Sequence, residues 1–345
     1  MTDIPLDPPS RPQTALVLGA SGGIGGAVAE ALLARGWQVR GLARDPVQAQ
    51  ARWPAQAGAI EWRTGDALRR QDVLDAAAGV QLIVHAVNPP GYQQWDRLVL
   101  PMIDNTIAAA RASGARILLP GTLYNFDPAV TPVVHEGSAQ RPRAAKGRIR
   151  VELERRLQAA APEVRTLVVR AGDYFGPRVR SSWFAQALVT QGRPLRRLMH
   201  PAPRTGHAWA YLPDLAQAMV RLAEHPDLRA FERVGFEGLW DPDGRGLPAL
   251  LARVAGRERL PQWPFPWWAL RLAAPFSGFA REAAEIAPYW RHPMRIDNAR
   301  LVQLLGAEPR TPVLQALRHT LQGLGCLPPG AAAAAPVDQP ARTVG

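Results

Sequence analysis

The chain has 345 residues, 47% of them hydrophobic, with 41 Lys and Arg against 29 Asp and Glu, a formal charge of +12 and one cysteine. At about 150 residues per domain this is enough for one large or two modest domains with a real core, which excludes disorder throughout. The lone Cys326 cannot close an internal disulfide, no Cys/His cluster has zinc-ligand spacing, and the charge is scattered arginine without a nucleic-acid-binding module, so a metal-free cytoplasmic protein with no nucleic-acid partner is expected.

From the N-terminus, 1–13 is polar and proline-rich without the apolar segment of a signal peptide, and reads as a flexible arm. Short β-rich runs then alternate with amphipathic stretches. Strands are expected at Ala15–Leu18, Gln38–Ala43, Ile60–Arg63, Leu82–His85, Arg116–Leu119 and Arg165–Val169, with helices at Ile24–Arg35, Leu68–Ala78, Trp95–Ser113 and Lys146–Ala160. Joined by right-handed crossovers, these make an α/β fold, a Rossmann doubly wound parallel sheet over 14–177. From 178 to 327 the pattern loosens and prolines and tryptophans accumulate, which predicts a smaller, mixed substrate domain. Within it 212–225 returns to the Rossmann domain as a helix. The apolar stretch 261–280 is broken by prolines and Arg271, so no integral membrane segment is expected. The end, 328–345, carries Pro-Pro-Gly and five alanines, buries little and reads as a disordered tail.

The strongest motif is Gly19-Ala-Ser21-Gly22-Gly-Ile24-Gly25, directly after the first strand and opening a helix. Glycines there allow a tight turn and let the backbone approach a pyrophosphate, whose charge is met by N–H groups at the helix start. The bland alternative is a glycine-rich turn with no ligand. At the end of the second strand, a carboxylate suits the ribose hydroxyls of NAD and a cation suits the 2′-phosphate of NADP. Arg40 and Arg44 lie in and just after that strand, with Asp45 as the counterargument; Arg44 is the principal candidate and NADP is favoured over NAD.

Spaced G-x-x-G-x-x-G, with Gly65-Asp66 after the third strand and His85-Ala86-Val87 at the fourth, the chain resembles the short-chain dehydrogenase/reductase superfamily. Its extended, NAD-dependent epimerase/dehydratase-like branch fits best. Arg170-Ala-Gly-Asp-Tyr174-Phe-Gly176-Pro177 is similar to that branch's Arg-Pro-x-x-x-x-Gly-Pro segment, and Tyr211-Leu-Pro-Asp214-Leu-Ala to its returning Asp-Val-Ala helix. The similarity covers roughly 14–225. It implies that Gly19, Ser21, Gly22, Ile24 and Gly25 hold the pyrophosphate, Asp66 bonds the adenine amino group with Ala67 beside it, and Ala86 and Val87 line the adenosine and nicotinamide-ribose side. Asp66 equally suits a cap for the helix expected from Leu68.

The resemblance also implies a Tyr-x-x-x-Lys pair, in which the phenol transfers a proton and the lysine lowers its pKa and holds the ribose. Here the helix reads Lys146-Gly-Arg-Ile-Arg150-Val-Glu-Leu-Glu154, which aligns Lys146 with the tyrosine and Arg150 with the lysine. The usual serine segment becomes Leu119-Pro-Gly-Thr122-Leu-Tyr124-Asn125-Phe126, leaving Thr122 as the nearest hydroxyl. The catalytic set is therefore non-standard. Lys146, the chain's single lysine, flanked by Arg143 and Arg150, reads as a proton-transfer or cofactor-contact residue, because a lysine beside cations can lose its proton and an arginine cannot. The other reading is a solvated basic face paired with Glu154. Tyr124 is the second candidate acid, with Thr122 and Asn125 as hydrogen-bond partners.

The resemblance to sugar-nucleotide epimerases implies cations for a substrate diphosphate, for which Arg178, Arg180, Arg193, Arg196, Arg197 and Arg204 are candidates. Gln262-Trp263-Pro-Phe265-Pro-Trp267-Trp268, with Trp183 and Phe184, makes a rigid apolar wall: core or dimer packing, or a lid over an apolar substrate. His85, and His207 beside Trp209, read as structural histidines. The function expected is an NADP-dependent oxidoreductase, or an epimerase/dehydratase-type enzyme, acting on a carbonyl or hydroxyl of a small metabolite. The alternative is a catalytically silent NADP(H)-binding sensor or scaffold. A homodimer is left open, as is a variant that docks on a membrane through the tryptophan loop.

Overall fold

A computed structural model of the chain describes residues 13–89 and 94–328. The arm expected over 1–13 and the tail expected over 328–345 fall, but for one residue each, outside the described residues. In the first half the order is β1 (Thr14–Leu18), α1 (Gly23–Ala34), β2 (Gln38–Ala43), α2 (Pro46–Arg52), β3 (Ile60–Thr64), α3 (Arg70–Ala76), β4 (Leu82–His85), α4 (Trp95–Ser113), β5 (Arg116–Gly121), β6 (Val133–Val134), α5 (Ala145–Ala160) and β7 (Thr166–Arg170). There follow β8 (Asp173–Phe175), β9 (Leu198–His200), β10 (His207–Tyr211), α6 (Leu212–Ala223), β11 (Phe231–Gly235), β12 (Leu239–Asp241), α7 (Gly246–Val254) and β13 (Gln262–Pro264). The last elements are α8 (Trp267–Ala273), α9 (Gly278–Glu285), β14 (Arg295–Ile296), α10 (Ala299–Leu305) and α11 (Val313–Gly323).

Because β1, β4, β5 and β7 read as unbroken apolar runs, they can be covered on both faces, and all four are buried along nearly their whole length. They form the middle of a seven-stranded parallel sheet ordered β11-β7-β5-β4-β1-β2-β3. One face is closed by α1 and α6, where Val28 and Leu32 join Leu215 and Met219 in a single cluster. The other is closed by α4 and α5, where Ile103 and Ile107 join Leu153 and Leu157. The strand order reverses between β1 and β4, whose ends are in register at Leu18 and His85. Such a reversal leaves a crevice beyond the carboxyl ends of the strands, and that is where a ligand sits in folds of this kind.

The chain re-enters this sheet at β11, a strand absent from the pattern-based expectation because Glu232 and Arg233 interrupt its apolar run. That carboxylate is fully buried but held by Arg300 at 2.8 Å, so a charged residue occupies a core position. The third helix begins at Arg70, not Leu68, because Asp66 to Arg69 form a turn closed by Arg69 N–H donating to the Asp66 carbonyl at 2.9 Å. A smaller core of Phe175, Phe184, Trp209, Leu251 and Leu317 supports the second half, with the sheet β12-β10-β8 beside it. No helix among the described residues is long and apolar enough to cross a membrane.

Candidate functional site

β1 delivers the chain to Gly19, whose φ of 88° lies in the left-handed region and whose Cβ, if present, would sit 2.6 Å from the Ala86 carbonyl oxygen. Only glycine fits there. A Cβ at Gly25 would strike the Gly19 carbonyl itself. Gly22 differs: it is exposed, and a Cβ there meets only the Gly19 oxygen, at 3.2 Å. The outer glycines are thus demanded by the fold, whereas the middle one keeps open the space before α1. That helix start has no side-chain cap and no acidic residue in its first turn, which leaves its N–H groups and positive dipole end for an anion. Ser21 is exposed and Ile24 half-buried beside this space.

At the end of β2, Arg44 is exposed and makes no hydrogen bond or ion pair among the described residues. Asp45 is otherwise engaged, accepting from Gln48 N–H at 2.9 Å as the cap of α2. Arg40 is also spent, donating to the carbonyls of Ala76 at 2.7 Å and Ala78 at 3.0 Å and so tying β2 to the end of α3. Asp66 accepts from Leu68 N–H at 3.0 Å, within the turn and not as the cap of α3. The Ala67 carbonyl accepts from Asn105 at 2.9 Å. Ala86 lies against the glycine turn, its N–H donating to Leu18 at 3.0 Å, with Val87 next to it.

Farther along the cleft stands Arg150. This guanidinium is buried, donates to Asn88 Oδ1 at 2.9 Å, lies 4.9 Å over the Trp95 ring, and keeps a buried Nε without a partner. Burial lowers its pKa, opposed by the nearby Tyr174, Glu154 and Tyr124. Below it His85 bonds Thr106 Oγ1 at 2.8 Å, and burial, then the Arg150 charge, push its pKa down to about 3, so the imidazole is neutral.

Tyr124 is brought to Arg150 by Gly147, where a Cβ would strike the Tyr124 carbonyl, so α5 and the loop after β5 touch backbone to backbone. The loop is fixed from beneath by a buried network. Arg170 holds Glu154 at 2.9 Å and donates to the Thr122 carbonyl at 2.5 Å; Asn125 donates to Glu154 at 2.8 Å. Asn125 therefore serves the network rather than the Tyr124 phenol, while Thr122 Oγ1 lies 3.2 Å from Asn125 Oδ1.

Lys146 departs from both of its expected settings. It is 2% exposed, so it is no solvated face, and its Nζ meets Glu285 of α9 at 2.7 Å, since Glu154 is taken by Arg170. Its backbone N–H donates to the same carboxylate at 3.1 Å. Of the flanking arginines, Arg143 pairs with Asp127 at 2.5 Å and Arg150 turns to Asn88, so a carboxylate, not a cation, stands at the amine.

Where β10 pairs with β8 stands a pair that sequence reading missed. His207 Nε2 lies 2.7 Å from Asp173 Oδ2, and its ring stacks on Trp290 at 4.0 Å and 11°. Trp183 meets Trp267 and Trp290 at 5.4 Å each and Phe265 at 5.6 Å. The tryptophan stretch thus splits, with Phe265 and Trp267 turned inward and Trp263 and Trp268 outward. Arg178 pairs with Glu30 of α1 and is not free for a substrate diphosphate. Among the described residues no group of three His, Cys, Asp or Glu is arranged to hold a metal.

A family model described as NAD(P)H-binding matches residues 19–154. A 3-diazoavenalumate denitrifying reductase of a Streptomyces species is 34% identical over 180 residues, which is 47% of this chain and 56% of that protein, so the match spans about half the length of this curated relative. Among solved structures, MoeE5 in complex with UDP-glucose and NAD superposes with a TM-score of 0.68 at 16% identity, over 90% of this chain and 98% of that one. The ADP-L-glycero-D-manno-heptose-6-epimerase of Helicobacter pylori gives 0.69 at 12% identity, over 93% and 99%. The UDP-glucose 4-epimerase of Bifidobacterium longum, in complex with NAD+ and UDP, gives 0.66 at 14% identity, over 90% and 98%. Residues 19–154 are therefore similar to an NAD(P)H-binding domain, and the chain has the fold of these solved structures.

Proposed function

We propose that the protein is an NADP(H)-dependent oxidoreductase acting on a small metabolite in the cleft between the glycine turn and the aromatic cluster. The observation that carries this reading is Arg150, a buried cation with an unpartnered Nε beside two tyrosines, at the position the resemblance gives to the ribose-holding lysine. A buried donor is costly unless something accepts from it.

The open space at Gly22, with Ser21 and Ile24 beside it, suits the pyrophosphate, and the unengaged Arg44 suits a 2′-phosphate. Asp66, Ala67, Ala86 and Val87 line the adenosine side. When bound, a nicotinamide dinucleotide supplies or accepts a hydride. Arg150 grips the ribose side and stabilises negative charge developing on a substrate oxygen. Tyr124, half-buried with its ring edge-on to Tyr289 at 5.1 Å, moves the proton, with the Thr122 hydroxyl as its neighbour. Lys146, through Glu285, acts as a positioning residue that ties α9 to α5. NADPH is expected to be consumed in the presence of at least one member of a panel of aldehydes, ketones and sugar nucleotides. Binding without turnover by any of them, and a partner protein recovered in one redox state only, would favour the sensor reading instead.

A second reading is favoured by the absence of a tyrosine at position 146 together with the Streptomyces relative. Reductive removal of dinitrogen from a diazonium carbon breaks the C–N bond, forms a C–H bond with the hydride and releases N2, so no proton is delivered to an oxygen. A site with an ion-paired lysine where the proton donor would stand suffices for that. NADPH consumption matched by gas release from an aryl diazonium salt, and unchanged in Tyr124→Phe, would select this chemistry.

A further inference from the structure

Large exposed apolar residues concentrate on one side of the second half. Trp263, Trp268, Leu272 and Phe276 are 60%, 67%, 68% and 92% exposed. The pairing of β13 with β9 sets Trp263 opposite Met199, which is exposed as well. Trp268 and Leu272 are four residues apart in α8 and so share a face, and Phe276 follows in the turn beyond. Their neighbour Trp267 points the other way. Its indole donates to the Pro201 carbonyl at 3.0 Å, which pins α8 to the segment after β9 and fixes the outward face.

The charge around this face is equally uneven. Arg196 and Arg197 precede β9, Arg259 precedes β13, Arg271 lies within α8 and Arg281 within α9; all five are exposed and none makes an ion pair among the described residues. Over 193–204 and 257–281, Glu258 is the sole acidic residue. Some arginines elsewhere are matched, as Arg111 is with Glu163, Arg156 with Asp104 and Arg295 with Glu237, while others, such as Arg52, Arg70 and Arg97, are exposed and without an ion pair among the described residues as well; what sets this face apart is that its cations lie beside exposed aromatic rings.

Clustered exposed apolar side chains mark an interaction surface, and unmatched cations ask for an anionic partner. Tryptophans beside arginines suit a lipid interface, where indoles sit among headgroups and guanidinium groups meet phosphates. A two-fold dimer through this face would set the same arginines against their own copies, which disfavours a second chain as the occupant. We infer that the β13–α8 face docks peripherally on an anionic lipid bilayer. Docking in this orientation puts the inward Trp267, and the cluster of Trp183 and Trp290 behind it, directly beneath the lipid surface.

Co-sedimentation of the full chain with phosphatidylcholine vesicles containing phosphatidylglycerol, and with phosphatidylcholine alone, tests this. Binding is expected to the anionic vesicles only and to weaken as salt rises. Each arginine near an anionic surface contributes about a factor of five, so Arg196→Glu combined with Arg197→Glu should weaken binding by roughly 25-fold or more. Trp268→Ser combined with Phe276→Ser should weaken it roughly tenfold or more. Both double variants should keep the wild-type affinity for NADPH, which verifies the fold. The inference is overturned if the wild type does not bind anionic vesicles at low salt, or if the variants bind them equally well. A dimer that dissolves in Trp268→Ser with Phe276→Ser, without vesicle binding, would give this face to a second copy.

Discussion

The two ends of the cleft are built from opposite materials. At the glycine turn the groups facing a ligand are backbone N–H donors, and Gly19 and Gly25 are fixed by contacts of the turn with itself and with Ala86. Around Asp173 and His207 the groups are side chains, held by stacked rings from β10, from the segment containing Trp290 and from α8. Backbone recognition tolerates change in neighbouring side chains as long as the glycines stay, so this end keeps one ligand class. Side-chain recognition can be rewritten one residue at a time, and the departures from the pattern of the family resemblance, at Thr122 and Lys146, are changes of side chain.

This contrast can be broken at several points. The largest effect is expected where the ends meet. Tyr124→Phe should lower kcat by roughly 100- to 10,000-fold, as acid–base groups do, with dinucleotide affinity unchanged in a titration. Full activity toward a carbonyl substrate would move the proton-transfer role away from Tyr124. Next comes the network beneath both ends. Arg170→Met leaves the buried Glu154 carboxylate without its cation and should cost about 3–5 kcal/mol of stability in denaturant unfolding.

Gly22→Val should reduce dinucleotide affinity by at least about a hundred-fold, a loss of charge-assisted contacts, while the melting temperature barely moves. Gly19→Val, by contrast, should lose stability first, because its Cβ would collide with Ala86. If both variants behave alike, the distinction between the middle and outer glycines fails. Arg44→Asp should lower NADPH affinity by roughly ten- to a hundred-fold and leave NADH almost unaffected. Equal losses would remove Arg44 from the 2′-phosphate.

The smallest effect is on stability against pH. Burial pushes the pKa of His85 to about 3 and that of His200 to about 4, below the ordinary 6.5. Above about pH 6.5 neither state binds the extra proton and nothing is lost. As the pH falls toward 4 the unfolded chain takes up protons that the folded one refuses. Each histidine should then remove about 1.4 kcal/mol of stability per pH unit, and His200→Gln should flatten the decline seen in unfolding midpoints between pH 7 and 5.

Much of the first half was legible because its signals are local. The apolar runs of β1, β4, β5 and β7 and the glycines between β1 and α1 announce a parallel sheet with a tight turn before its first helix, and six of the seven strands of the sheet are where they were expected. What could not be read depends on partners distant in the chain. β11 was hidden by Glu232, whose burial makes sense only with Arg300, 68 residues later. The setting of Lys146 turned on Glu285, 139 residues away, so inspection of its helical neighbours pointed to Glu154 instead. His207 and Asp173, 34 residues apart, meet only because β10 pairs with β8. The division of the tryptophans into inward and outward sets follows from the Trp267 bond to Pro201, which no spacing rule encodes.

Gly147 has a mechanical consequence. Only a hydrogen atom separates its Cα from the Tyr124 carbonyl, and the Tyr289 hydroxyl lies 2.9 Å from that same oxygen. Loop, helix and C-terminal segment are therefore clamped into one stiff body, and Tyr124 cannot swing toward a substrate as a lid residue does. Reactants must be carried to the tyrosine by motion elsewhere. Amide hydrogen exchange at Asn125, Gly147 and Tyr289 is accordingly expected to rise and fall together across conditions, as for groups that open in one cooperative event.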